Sequence, residues 1–303
     1  MSDSITTWAK EQAKFFTFGV PPVPIMHSPD EAGLDYEEIV FPAHLDGVPI
    51  EGWFIPAKGS KKIIICNHPM TFNRAGCRPL AGFGEGVNLI PDYKHLHDAG
   101  YNIVAYDIRN HGRSGSNFGA AGGQGPYVTF GVYESRDVVG SIQYVRKRFP
   151  DYEVALYSRC MGANSTIKAW QKYPDEFKDI KTLLALQPVS IRSFIETGAK
   201  KANLDVAKAA EAFDKELFDE VGFRLDDYSP QLAAPAVNVP TFVLTVRDDA
   251  LINAPKDLVE IYDNLGTKEK KIFWIEGTTV RFDGYSYFGS HPEQMVDWFK
   301  KYL

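Results

Sequence analysis

Beyond Gly59, short apolar runs recur along this chain in alternation with amphipathic segments. They are Lys62–Cys66, Asn102–Tyr106, Val154–Tyr157, Thr182–Leu186, Thr241–Val246 and Lys271–Ile275. Each is rich in β-branched or aromatic residues and nearly free of charge, the pattern of a strand buried on both faces of a parallel sheet. Amphipathic segments separate them: Pro91–Ala99, Tyr133–Phe149, Met161–Tyr173, Pro255–Leu265 and Pro292–Tyr302 read as helices. Ahead of this alternation, Tyr36–Ala43 and Val48–Pro56 flank an Asp46-Gly47 turn signal and read as an antiparallel hairpin. The pattern predicts an α/β fold with a doubly wound, mostly parallel sheet, an N-terminal hairpin and a helical cap. Helical, charge-rich sequence from 189 to 236 interrupts the β-α rhythm and is read as that cap.

The expected organisation is an N-terminal helix and arm over 1–35 and one domain over 36–303. Trp8, Gln12, Phe15 and Phe16 lie on or beside one stripe of a short amphipathic helix that ends before the breaker at 19–22. That stripe is expected on the outside of the domain or against a second copy in a homodimer. The glycine-rich stretch 119–125 lacks the strand-Gly-x-Gly-x-x-Gly-helix arrangement, so it reads as a mobile loop without a dinucleotide site.

With 303 residues and 44% hydrophobic composition, the chain can bury one large core without a second domain. A formal charge of −6 argues against nucleic acid and against an anionic membrane surface. The expected partner is a small molecule. Three cysteines without paired or metal-type spacing suit a reducing compartment, and no apolar run approaches the roughly 18 residues of a membrane span. These features, with an N-terminus that lacks a signal pattern, predict a cytoplasmic protein that uses no metal or other cofactor.

The strongest chemical signal is Ser158-Arg159-Cys160-Met161-Gly162, where an apolar strand runs without a linker into a helix. So sharp a reversal needs small residues two before and two after the central position, and Ser158 and Gly162 supply them. The turn displays Cys160 at a helix start, where free N–H groups and the helix dipole favour negative charge on sulfur.

From about Tyr36 to the C-terminus the chain resembles the α/β-hydrolase superfamily, in its cysteine-nucleophile variant, with an elbow similar to that of dienelactone hydrolases. The resemblance implies that Cys160 is the nucleophile and that Asp249, preferred over Asp248, orients the catalytic base. It implies an oxyanion hole from the N–H groups of Met161 and Met70, the latter in the His68-Pro69-Met70 loop. Asp107, His111, Gly112 and Ser114 match the loop that holds the active edge together.

The family's histidine is not matched. Its position falls near Val280 or Arg281 in 277–290, a stretch with no histidine that reads as a loop. His291 is the provisional base if that loop folds back to Cys160. Arg159 or Arg281 could supply a cation to the thiolate, or Arg281 could hold a substrate carboxylate. His68 and Tyr285 are further expected substrate contacts.

The chain is therefore expected to be an acyl-transfer enzyme acting on an ester, lactone or thioester, with hydrolysis the default. A non-hydrolytic acyltransferase, carbon–carbon lyase or cyclase stays open. So does a binding protein that kept the fold and lost catalysis.

Overall fold

A computed structural model of the chain describes residues 2–18, 23–116 and 127–303. The N-terminal helix α1 spans Ser2–Phe18. The hairpin follows, with β1 (Glu37–Pro42) paired antiparallel to β2 (Pro49–Ile55) across the Asp46-Gly47 turn. The alternating run is then β3 (Lys62–Asn67), a minor ribbon of β4 (Gly76–Cys77) and β5 (Val87–Asn88), α2 (Ile90–Asp98), β6 (Asn102–Tyr106) and α3 (Ser135–Arg148). Next come β7 (Glu153–Arg159), α4 (Met161–Lys172) and β8 (Ile180–Leu186). Two cap helices, α5 (Ile191–Lys201) and α6 (Val206–Val221), precede β9 (Thr241–Val246), α7 (Ala254–Asn264), β10 (Lys270–Ile275), α8 (Arg281–Ser290) and α9 (Glu293–Tyr302).

The main sheet has eight strands in the order β1-β2-β6-β3-β7-β8-β9-β10. From β6 to β10 all neighbours run parallel, whereas β2 meets β6 antiparallel. Because strand side chains alternate, each central strand feeds two cores. Ile63, Ile65, Leu156, Leu183 and Val243 face one layer, which Val138 and Ile142 of α3, Ile167 of α4 and Leu258 of α7 complete. Ile64, Ala155, Tyr157, Leu184 and Phe242 face the other, closed by Tyr93 and Leu96 of α2 and by Met295 and Phe299 of α9. Burial on both faces is why these runs carry no charge. The chain reverses direction of winding at β3, so the crevice at the carboxyl ends of the central strands is the natural place for a ligand.

Two readings from the sequence need correction. The stretch after β10 is not a loop throughout, because Arg281–Ser290 forms α8. Phe282, Tyr285 and Phe288 on α8 are buried in the second core, a pull that outweighs two glycines and low intrinsic helix propensity. The N-terminal helix, second, is not merely external. Ala9, Ala13 and Phe16 belong to the first core, and Phe16 packs against Phe194 of α5 and Phe213 of α6 with ring centroids 5.5 and 6.2 Å apart. The breaker at 19–22 and the whole of the stretch 119–125 lie outside the described residues. Among the described residues no helix is long and apolar enough to cross a membrane.

Candidate active site

The turn from β7 into α4 is strained. Cys160 has φ 49° and ψ −115°, a region that costs a non-glycine residue about 1–3 kcal/mol and persists only when its surroundings impose it. They do so from both sides. The Cys160 N–H donates to the Leu186 carbonyl at 2.8 Å, and its carbonyl accepts from Asn164 at 2.9 Å. Gly162 sits so close to β3 that a Cβ there would lie 2.7 Å from Asn67 Cβ and 2.8 Å from the His68 carbonyl. Ser158 Oγ is held by Asn67 Nδ2 and Thr166 Oγ1, both at 2.8 Å. The small residues flanking Cys160 therefore have the steric reason expected of them.

Opposite the sulfur stands an arginine. Arg281, the first residue of α8, is buried and places its guanidinium between two acidic partners. Nη1 donates to Asp249 Oδ2 at 2.6 Å, and Nη2 faces Cys160 Sγ at 3.7 Å while also donating to the Gln187 carbonyl at 3.0 Å. Nε donates to the Tyr285 hydroxyl at 2.9 Å. Burial works against the charge on Arg281, but Tyr285, Asp249 and Cys160 outweigh it and hold the group protonated well above its ordinary range. It is a fixed cation and no proton acceptor.

Asp249, at the end of the β9 turn, is buried where its neighbour Asp248 is exposed, and its Oδ1 accepts from the Leu251 N–H at 2.9 Å. Gln187 completes the support, donating Nε2–H to the Arg281 carbonyl at 2.9 Å. Gly284 makes this approach feasible, since a Cβ there would fall 2.7 Å from the Gln187 amide. Cys160, Arg281 and Asp249 thus form a line in which arginine occupies the middle place.

His291 is not brought to the sulfur. It follows the last turn of α8, with an exposed ring stacked on Tyr287 at 4.7 Å and Nδ1 directed to the Tyr287 carbonyl. Had 277–290 been a loop, the chain could have folded back; the helix points its C-terminal end elsewhere. Arg159 also lies apart from the cavity beside Cys160. It is buried beneath the elbow against Asp92 at 2.8 Å, with its guanidinium 3.6 Å from the Tyr157 ring centroid.

His68 has both ring nitrogens engaged, by the Pro69 carbonyl at 2.7 Å and the Ile108 N–H at 2.8 Å, so it braces the loop and offers nothing to a ligand. Arg281 itself has four of its five N–H groups' worth of partners already in place, which leaves little for a substrate carboxylate. Met161 opens α4, Met70 lines the cavity at the sulfur, and the backbone N–H of neither has an acceptor among the described residues.

That cavity is small and aromatic, about 30 Å³, walled by Phe15 and Phe16 of α1 with Phe83, Phe130, Phe194 and Phe282, and reaching Cys160, Arg281 and Tyr285. Its volume is about that of one water. A larger cleft of about 700 Å³ opens beside α5 and α7; it touches Asp249 but not Cys160. Of these two spaces, the smaller one is lined by both Cys160 and Arg281. The other two thiols are unsuited to attack: burial pushes Cys66 up to about 12 and raises Cys77 as well.

Residues 80–189, which include the elbow, match the family model described as serine aminopeptidase, S33. No curated protein matches the sequence. In structure the chain is similar to an esterase of Pyrococcus furiosus, with TM-score 0.69, 20% identity and coverage of 93% of this chain and 97% of that one. It is also similar to a cold-adapted esterase from an Arctic intertidal metagenomic library (TM-score 0.57, 18% identity, 88% and 94% covered). A dienelactone hydrolase from Anabaena variabilis gives TM-score 0.56 at 13% identity, with 88% and 99% covered. With its eight strands in this order and a strained strand-to-helix turn at the centre, the chain has the α/β-hydrolase fold.

Proposed function

We propose that this protein is an acyl-transfer enzyme in which Cys160, as thiolate, attacks the carbonyl of a small carboxylic ester, lactone or thioester. One observation carries the reading: Arg281 bridges Asp249 and the Cys160 sulfur at a turn held in a costly conformation. A serine here would need a base to ionise, whereas a thiolate beside a fixed guanidinium needs none. Asp249 orients the guanidinium, and the free N–H groups of Met161 and Met70 are the donors for the developing oxyanion. The phenylalanine walls and the small volume suit a short apolar acyl group such as acetyl. Two of the structurally similar proteins being esterases supports ester substrates.

Hydrolysis is the default outcome. The lack of an imidazole among the residues lining the Cys160 cavity favours, as a second reading, transfer to an acceptor other than water.

Aryl esters test the proposal. Wild-type protein mixed with p-nitrophenyl acetate is expected to release p-nitrophenolate and to carry an acetyl group on Cys160, seen by mass spectrometry of the acid-quenched protein. Cys160→Ala should abolish both. Cys160→Ser should lose on the order of 10²–10⁴ in rate, the usual worth of a missing base to a hydroxyl nucleophile. Full turnover by Cys160→Ala would reject the mechanism, and a free acid absent from the products would move the reading to the acceptor-dependent form.

A further inference from the structure

Acyl transfer through Cys160 needs two proton movements, one onto the leaving oxygen and one off the attacking water. Imidazole usually performs both, and here none is at hand. No histidine lines the cavity at the sulfur, His68 and His111 spend their ring nitrogens on backbone partners, and Arg281 does not release its proton. Asp249 lies behind the guanidinium with one oxygen taken by Arg281 and the other by the Leu251 N–H.

Among the described residues lining the cavity, Thr71 turns its hydroxyl toward Cys77, whereas Tyr285 offers a proton beside Arg281 and the sulfur. Tyr285 is buried on α8 and lines the cavity. Its oxygen accepts from Arg281 Nε at 2.9 Å, so its single hydrogen is free to face the sulfur and the cavity. The ring is wedged between Phe72 and Phe282, at centroid distances of 5.4 and 5.8 Å, which fixes the position of the phenolic oxygen.

We propose that Tyr285 is the proton carrier of the reaction, giving its phenolic hydrogen to the leaving oxygen and recovering it from the attacking water, with Arg281 holding the phenolate in between. The inference rests on the acyl-transfer reading above. In the first step the Cys160 thiolate forms a carbon–sulfur bond, the carbon–oxygen bond breaks, and the departing oxygen takes the Tyr285 proton to leave as an alcohol. Water then adds to the thioester carbonyl as its proton passes to the phenolate, and the carbon–sulfur bond breaks. The products are a free acid, the thiolate and the neutral phenol.

The charges make the exchange self-consistent. Burial first, and then the neighbouring sulfur, keep Tyr285 protonated well above the ordinary tyrosine range, with Arg281 pulling the other way. Acylation removes the charge on sulfur. Arg281 then has one negative neighbour fewer, and the phenolate takes that place. At each stage a single negative charge, on sulfur or on oxygen, faces the guanidinium in addition to Asp249.

The test compares leaving groups at constant acyl group. Tyr285→Phe keeps the ring packing and removes the hydroxyl. With p-nitrophenyl acetate, whose leaving group needs no proton, its acylation burst should stay within about threefold of wild type, whereas acylation by an alkyl acetate should fall about 10²–10⁴-fold. Equal losses on both esters, or none on either, would overturn the role of Tyr285. Failure of the wild type to form acetyl-Cys160 would instead count against the acyl-transfer reading.

A fluorinated tyrosine at 285, more acidic but nearly isosteric, provides a second measure that preserves the fold. A stronger acid should speed alkyl-ester acylation and, as a weaker base in its phenolate form, slow deacylation. Changes in the same direction, or no change, would overturn the proposal.

Discussion

At the scale of single residues, the site turns on what a guanidinium can do that an ammonium cannot. Arg281 reaches Asp249, Cys160, the Gln187 carbonyl and Tyr285 at once because its donors leave in fixed, divergent directions. A lysine in its place would carry the charge on one nitrogen and could satisfy Asp249 or stand by the sulfur, but not both. Arg281→Lys is therefore expected to lower kcat/KM on aryl acetates by about 10²-fold, similar to losing one oriented donor. Arg281→Met should go further, leaving Asp249 buried without its cation, a change that typically costs about 3–5 kcal/mol of stability. Denaturant unfolding beside initial rates separates the two effects. A lysine variant as active as wild type would show that charge alone suffices and that the bridging geometry is idle.

At the scale of elements, what could be read from the sequence divides along a physical line. The hairpin, the six parallel strands and the elbow were all visible, since burial on both faces imposes uninterrupted apolar runs and the tight turn imposes Ser158 and Gly162. Asp249 was visible too, as the carboxylate just past a strand. What the sequence concealed was α8. Ten residues holding two glycines and four aromatics have weak helix propensity and little periodicity, and tertiary burial of Phe282, Tyr285 and Phe288 forms the helix. Without that helix the place of Arg281 could be located only to within a residue, and its contacts not at all.

The N-terminal stripe was recognised but not its seat, because no pattern within α1 specifies the cap surface that receives it. That seat has a consequence for the substrate. Phe16 lies in the cavity wall and packs on Phe130, Phe194 and Phe213. Phe16→Ala should cost about 3–5 kcal/mol of stability and open space continuous with the sulfur's pocket. The ratio of kcat/KM for p-nitrophenyl hexanoate over acetate is then expected to rise about tenfold, equivalent to roughly 1.4 kcal/mol of new transition-state contact. An unchanged ratio would place the acyl group somewhere other than beneath α1.

At the scale of the whole molecule, the loops that carry the site are tied together by buried groups that acid disturbs. His68, at the end of β3, and His111, in the turn after β6, lie with ring centroids 5.2 Å apart, and burial depresses the basicity of both. For His68 burial is joined by the nearness of His111 and takes it well below the usual range. The unfolded chain binds protons at these rings near pH 6.5, while the folded chain does not, so acidification favours unfolding. Stability from this source is complete above about pH 6.5 and declines as pH falls toward the folded values. Lowering pH from about 6.5 to 5.5 should cost about 1 kcal/mol through His68, which the folded chain keeps neutral over that interval, and His111 adds to the loss in the same direction.

The raised carboxyls of Asp107 and Asp257, where burial is the largest influence, act with the opposite sign, since the folded state holds those protons more tightly. A carboxyl raised in the fold acts between about pH 4, where unfolded carboxyls titrate, and its folded value, and for Asp137, which burial raises to about 6, that interval reaches into the histidine window, so a comparison that removes one histidine is needed to isolate its share. Urea titrations at pH 6.5 and 5.5 measure the difference. His68→Gln, which cannot titrate, should lose about 1 kcal/mol less than wild type over that interval whatever its stability at neutral pH. An equal loss in both proteins would mean that His68 is already charged in the fold. The Ile108 N–H, which donates to the unprotonated Nε2, would then face a second donor across 2.8 Å, and the brace between β3 and β6 would have to be redrawn.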